Sequence, residues 1–198
     1  MRKWTCFIIL WSLLLGCAQI ALGNETAPDS EPCGKADREV ETERLSPMWE
    51  NRQLDTISMN VFFHRKAAPR HPNLSFYSGV TISRAWGYIT ESNIHISDEA
   101  VGAGPVYLVR YEPWQWDKLA LAVDMSGGII FYNENFPAGG DFYNFMWRLG
   151  PKLIYALNEN YAVSIGCKIM HVSNGQHGRM RNPSYNGQGF SVSVMKKL

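Results

Sequence analysis

The sequence of 198 residues contains only one stretch apolar enough to cross a bilayer as a helix, and it lies at the extreme N-terminus, so a bundle of membrane helices is excluded. An excess of charge is missing too. Nineteen Lys and Arg stand against eighteen Asp and Glu, a formal net charge of +1, which gives no electrostatic basis for binding nucleic acid. Cysteine is scarce: of four, Cys6 and Cys17 fall in the N-terminal run, and no disulfide is expected between the remaining Cys33 and Cys167. His64, His71 and His95 have no metal-ligand spacing and no Cys/His cluster occurs, so neither a metal nor another cofactor is expected. No helical pattern follows Gly102-Ala103-Gly104 or Gly139-Gly140, which makes them loop glycines rather than phosphate cradles.

What is present is 45% hydrophobic and 13% aromatic residues, enough for one folded domain and too much for a disordered chain. The mean hydropathy of -0.21 resembles that of a soluble protein. Such an average does not exclude a transmembrane β-barrel, whose apolar and polar residues alternate and cancel.

The start reads as an export signal over residues 1–23, with Arg2 and Lys3 before the apolar run from Cys6 to Leu15 and a small-x-small cleavage site at Ala21-Leu22-Gly23. The alternative is a lipoprotein signal ending before Cys17. Residues 24–50 hold eight acids against three bases and few apolar residues, so they read as a flexible acidic leader to a mildly basic folded part over 51–198.

From residue 54 onward the dominant signal has period two, sustained over segments longer than ordinary soluble strands. In 119–131, 143–157 and 161–169 the odd positions are almost wholly apolar (Leu121, Val123, Phe145, Trp147, Leu153, Ile165), while the even ones include Ala122, Asp124, Arg148, Gly150, Lys152, Gly166 and Lys168. A soluble barrel would turn the apolar face inward, but the aromatic side chains would overfill so narrow a lumen. Small and charged residues fit it, so the apolar face is assigned to lipid.

Asn158-Glu159-Asn160 and Pro113 to Asp117 read as tight periplasmic turns, and 133–142 and 174–186 as longer extracellular loops. With strands near 54–64, 74–90, 103–112 and 187–197, seven are visible. Closed single-chain barrels have even counts. The expectation is therefore an all-β, antiparallel transmembrane β-barrel of eight strands, with either two strands inside 74–90 or one hidden in the leader.

The lipid-facing stripe of 161–173 continues past Ile169 into His171 and Ser173, and Asn186 shares the outward parity of the last strand. A polar pair on a greasy face is expensive. A hydroxyl, an imidazole to deprotonate it and an amide oxygen to orient the imidazole make a hydrolase constellation, and a sharp exit at Asn174-Gly175 would turn backbone N–H groups toward a reacting carbonyl. The competing reading is that these polar residues only mark where the strand leaves the apolar slab.

His171-Val172-Ser173-Asn174-Gly175 at a strand end, a loop containing Asn182-Pro183 and a terminal strand resemble the outer-membrane lipid A 3-O-deacylases. The resemblance extends more loosely through Phe145 to Lys152 and Pro105 to Glu112, covering roughly 105–198. It implies an esterase that removes the 3-O-linked hydroxyacyl chain from lipid A of lipopolysaccharide, in the outer membrane of a Gram-negative cell. By resemblance Ser173 is the nucleophile, His171 the general base, and Asn174 with Gly175 the oxyanion hole. Arg179 and Arg181 in the last loop are candidates for lipid A phosphates.

The pattern departs from the family at one place. Members with the full pattern carry a Glu at the start of the last strand, whereas residues 171–198 contain no Asp or Glu, and Asn186 stands nearest. An Asn orients the imidazole but supplies no charge. Two rival readings stay open: a non-catalytic outer-membrane barrel with a degenerate site, and a secreted soluble β-barrel with Trp147 and Phe145 lining a ligand cavity. A homo-oligomer is among the states the sequence leaves open.

Overall fold

The computed structural model describes residues 36–49, 51–68, 71–175 and 183–197. The signal over 1–23 with its alternative at Cys17, Cys33, and the loop residues Arg179 and Arg181 lie outside them. Eight strands follow in order: β1 (Ala36–Pro47), β2 (Arg52–Ala68), β3 (His71–Glu91), β4 (Ile94–Trp116), β5 (Leu119–Tyr132), β6 (Tyr143–Ala156), β7 (Tyr161–Ser173) and β8 (Tyr185–Lys197). Each pairs with its sequence neighbour, and β1 pairs antiparallel with β8 to close the barrel. Closure leaves no unpaired sheet edge around the wall, which a bilayer demands of a strand protein.

The eighth strand comes from the segment expected to be a flexible leader. Ala36–Pro47 is β1, and Glu39, Glu41 and Glu43 point into the lumen, fully buried. They are there because the lumen is basic. Arg110, Arg148, Lys152 and Lys168 project inward from β4, β6 and β7 and need counter-charges where water is excluded. Lys152 Nζ lies 2.7 Å from both Glu39 and Glu41 and 2.9 Å from Asp124. Arg110 bridges Glu39 at 2.7 Å and Asp124 at 2.8 Å, Lys168 pairs with Glu41, and Arg148 lies 2.5 Å from Glu43. Four acids and four bases thus form one connected network across the lumen.

Apolar layers lie above and below that network. Near one end, here called the upper rim, Leu45, Leu54, Ile89, Ile130, Tyr132, Phe136, Met170 and Tyr185 pack together. Toward the other end Ala120, Ile154, Ala162 and Met195 form a second cluster. The 133–142 loop supplies part of the upper layer by folding Phe136 inward between Tyr132 and Tyr185, with ring centroids 4.7 and 5.8 Å away. Asn144 Nδ2 donates to the Phe136 carbonyl at 2.7 Å and holds the loop down.

The opposite faces of the same strands are exposed, among them Met125, Phe131, Phe145, Trp147, Leu153, Ile165, Phe190, Val192 and Val194. This excludes the soluble barrel with Trp147 and Phe145 in a cavity: both point outward, while Arg148 and Lys152 are buried. Two boundaries differ from those expected. β4 continues through Pro113, with a register irregularity between Tyr111 and Trp114, so the turn is Asp117-Lys118, where Asp117 adopts φ 46°. Pro113 is accommodated because a bulge does not need its missing N–H. β8 begins at Tyr185, which places Asn186 in the strand.

Candidate active site

β7 alternates strictly. Ala162, Ser164, Gly166, Lys168, Met170 and Val172 turn inward, so Ile165, Ile169, His171 and Ser173 line the outer wall toward the upper rim. Small residues let β7 sit close to its neighbours: a Cβ at Gly150 on β6 would lie 1.8 Å from the Cys167 carbonyl oxygen of β7. Ser173 is the last residue of the strand, and Gly175 then takes φ 73°, a left-handed conformation that glycine adopts without strain.

Register decides which side chains meet. His171 lies opposite Trp147 on β6 and Asn186 on β8, and Ser173 lies opposite Phe145. Residues directly opposite in an antiparallel pair hold their Cβ atoms about 5 Å apart, within hydrogen-bond reach of an imidazole and an amide. His171 Nδ1 and Asn186 Oδ1 are 2.9 Å apart. Only the tautomer with a proton on Nδ1 can donate to that oxygen, so Nε2 is left with its lone pair. Asn186 Nδ2 is buried without a hydrogen-bond partner among the described residues, a cost of turning the amide oxygen toward the ring.

On the other side Trp147 covers the imidazole, with ring centroids 5.9 Å apart and planes inclined by 31°. The imidazole thus sits between an indole face and an amide oxygen. No carboxylate hydrogen-bonds to it among the described residues. Behind this surface, inside the barrel, the Tyr132 and Tyr185 hydroxyls are 2.9 Å apart and Val172 is buried, so the strand ends carrying the site rest on a packed interior.

The structure therefore brings His171, Asn186 and Ser173 onto one outer surface, as their parity suggests. Ser173 and His171 are two residues apart on the same face, without a hydrogen bond joining them. Asn174 is buried and turned inward, while Gly175 is exposed. In sequence Trp147 and Phe145 read as part of the lipid-facing apolar stripe, or as cavity lining in the soluble rival; their place beside His171 and Ser173 follows from the β6–β7 register, which no local pattern announces.

A family model described as "Lipid A 3-O-deacylase (PagL)" matches residues 57–195. The fold is similar to the crystal structure of the outer membrane enzyme PagL, with a TM-score of 0.55 and 12% identity over 78% of this chain and 97% of that one. It is also similar to the crystal structure of Neisserial surface protein A, with a TM-score of 0.45 and 13% identity over 80% of this chain and 94% of that one. No curated protein matches the chain.

Proposed function

The chain belongs to the lipid A 3-O-deacylase (PagL) family, and from that premise we propose that it is a serine esterase acting on the 3-O-linked hydroxyacyl chain of lipid A from its outer wall. The observation that carries this reading is the His171–Asn186 contact of 2.9 Å on the face that also presents Ser173. With Nδ1–H held by Asn186, Nε2 of His171 accepts the proton of Ser173 Oγ as that oxygen attacks the ester carbonyl. Backbone N–H groups at the exit through Asn174 and Gly175 stabilise the oxyanion. Collapse, with the imidazolium passing its proton to the leaving alkoxide, releases the lyso-lipid and leaves an acyl-serine, which a water deprotonated by the regenerated imidazole then hydrolyses to free acid and Ser173.

An outward-facing site suits such a substrate. Lipid A lies in the outer leaflet, and its ester linkages lie next to the headgroup; a nucleophile near the upper rim, flanked by Phe145 and Trp147, meets the ester without drawing the lipid out of the bilayer. Arg179 and Arg181, which the sequence places between β7 and β8, are proposed as further partners for the phosphates. That no acid lies beside His171 among the described residues favours a second reading, a barrel that has kept the family fold and lost its activity.

Purified barrel in mixed micelles with lipid A separates the two. Release of free 3-hydroxy fatty acid, lost by about 10³-fold or more in Ser173→Ala, is expected of the esterase. A folded wild-type barrel that releases none excludes it.

A further inference from the structure

The outer wall to the far side of β8 carries two arginines that the reaction above does not use. Arg44 on β1 lies opposite Phe190 on β8 and Ile57 on β2; Ile57 lies opposite Arg84 on β3, which faces Val101 on β4. Phe190, Arg44, Ile57, Arg84 and Val101 are thus one row across five neighbouring strands. All five are exposed. Strand spacing puts the Cα atoms of the two arginines about 10 Å apart, with Ile57 between them.

The rows on either side differ in polarity. Toward the middle of the wall comes Val192, Thr42, Met59, Ile82 and Ala103, then Val194, Val40, Val61, Val80 and Pro105, an almost entirely apolar surface. Toward the upper rim Gln188 pairs with Ser46, Ser46 Oγ donates to Asp55 at 3.1 Å, and Trp86 pairs with Glu99. Arg44 and Arg84 therefore lie where the apolar surface gives way to polar side chains, as residues near the lipid headgroups do. Arginine is costly toward the bilayer midplane but close to neutral at its interface, where an anion can meet it.

The two guanidinium groups are prepared differently. Arg84 is held against the wall by Glu99, through Nε at 2.9 Å and Nη2 at 2.6 Å, and lies 5.5 Å over the Trp86 ring. Nη1 is not used in those two bonds. Arg44 has no acidic partner within ion-pair distance among the described residues, although the interior of the same barrel pairs its cations throughout. The outward line of β8 runs Asn186, Gln188, Phe190, so the arginine row lies four residues, about 13 Å, along that strand from the His171 partner.

We propose that Arg44 and Arg84 form an anion site on the outer wall that holds a phosphate of a lipid A molecule, with Ile57, Met59 and Ile82 lying against its acyl chains. This rests on lipid A being the substrate of the face that carries Ser173. The phosphate accepts hydrogen bonds from Arg44 and from Nη1 of Arg84, and it supplies the counter-charge that Arg44 lacks.

The test uses the full barrel carrying Ser173→Ala, so that lipid is not consumed, and measures micellar binding of bisphosphorylated lipid A, of the same lipid after removal of its phosphates, and of phosphatidylglycerol. Tighter binding of the bisphosphorylated form than of the other two is expected, with a preference that falls about tenfold in Arg44→Gln/Arg84→Gln. Arg44→Lys, which keeps a point charge, should retain part of it and shows that loss is not misfolding. An unchanged preference in the double variant overturns the site, and equal binding of phosphatidylglycerol overturns its assignment to lipid A. Turnover by the barrel with Ser173 intact is read separately: cleavage without any phosphate preference sinks the arginine site alone, and phosphate preference without cleavage supports it while sinking the esterase.

Discussion

Asn186 is the residue on which the chemistry depends most finely. Its amide oxygen lies 2.9 Å from Nδ1 of His171; in the proposed reaction it fixes the imidazole's tautomer but carries no charge to stabilise the imidazolium formed as Ser173 gives up its proton. A charged acceptor makes a hydrogen bond stronger than a neutral one by about 1–1.5 kcal/mol. Asn186→Glu is therefore expected to raise kcat about tenfold over wild type on lipid A in micelles, and Asn186→Leu to lower it by at least as much. A slower Asn186→Glu enzyme would show that the orienting role belongs elsewhere. Trp147 works from the opposite side. Aromatic pairs contribute about 0.5–1.5 kcal/mol beyond the area they bury, so Trp147→Leu should lower kcat/KM about threefold to tenfold while Trp147→Phe keeps most of the activity.

At the scale of elements, β1 supplies three of the four acids in the lumenal network, Glu39, Glu41 and Glu43. Removing one partner from a buried ion pair costs about 3–5 kcal/mol, and Glu41 serves both Lys152 and Lys168. Glu41→Ala should thus lower the urea midpoint of the barrel in micelles by that amount of stability, whereas Thr42→Ala on the outward face should leave it within about 0.5 kcal/mol. In the 133–142 loop Phe136 is fully buried among Tyr132 and Tyr185, so Phe136→Ala should cost about 3–5 kcal/mol in the same measurement. These two elements also show what was legible in the sequence. β5, β6 and β7 declare themselves because their outward residues are apolar and their inward ones small or charged. β1 does not, because Glu39, Glu41 and Glu43 face inward while Arg38, Thr42 and Arg44 face outward beside the single apolar Val40. Hydrophobic alternation vanishes when both faces are polar, and only the cations on β4, β6 and β7 give those acids a reason to be buried. His171, Ser173 and Asn186 were legible by parity. The pairing of His171 with Asn186 was proposed from that parity, but parity alone leaves the β7–β8 register open by steps of two residues, and the structure supplies the register that gives the 2.9 Å contact.

For the whole molecule, the near-zero net charge and modest mean hydropathy are sums over two opposed surfaces. The lumen is a charged network closed on itself, and the wall is an apolar band with a polar site and an arginine row along its upper margin. A barrel so arranged has its packed core inside and its working surface outside, toward lipid. That arrangement predicts recovery in the outer-membrane fraction and catalysis without a lumenal cavity. The most direct test is mass spectrometry of lipid A from a Gram-negative host expressing the full chain or its Ser173→Ala variant at matched levels. Loss of one 3-hydroxyacyl chain with the wild-type barrel and intact lipid A with Ser173→Ala is the expected result. Intact lipid A in both, with the wild-type barrel folded in the outer membrane, would contradict the esterase assigned to this wall.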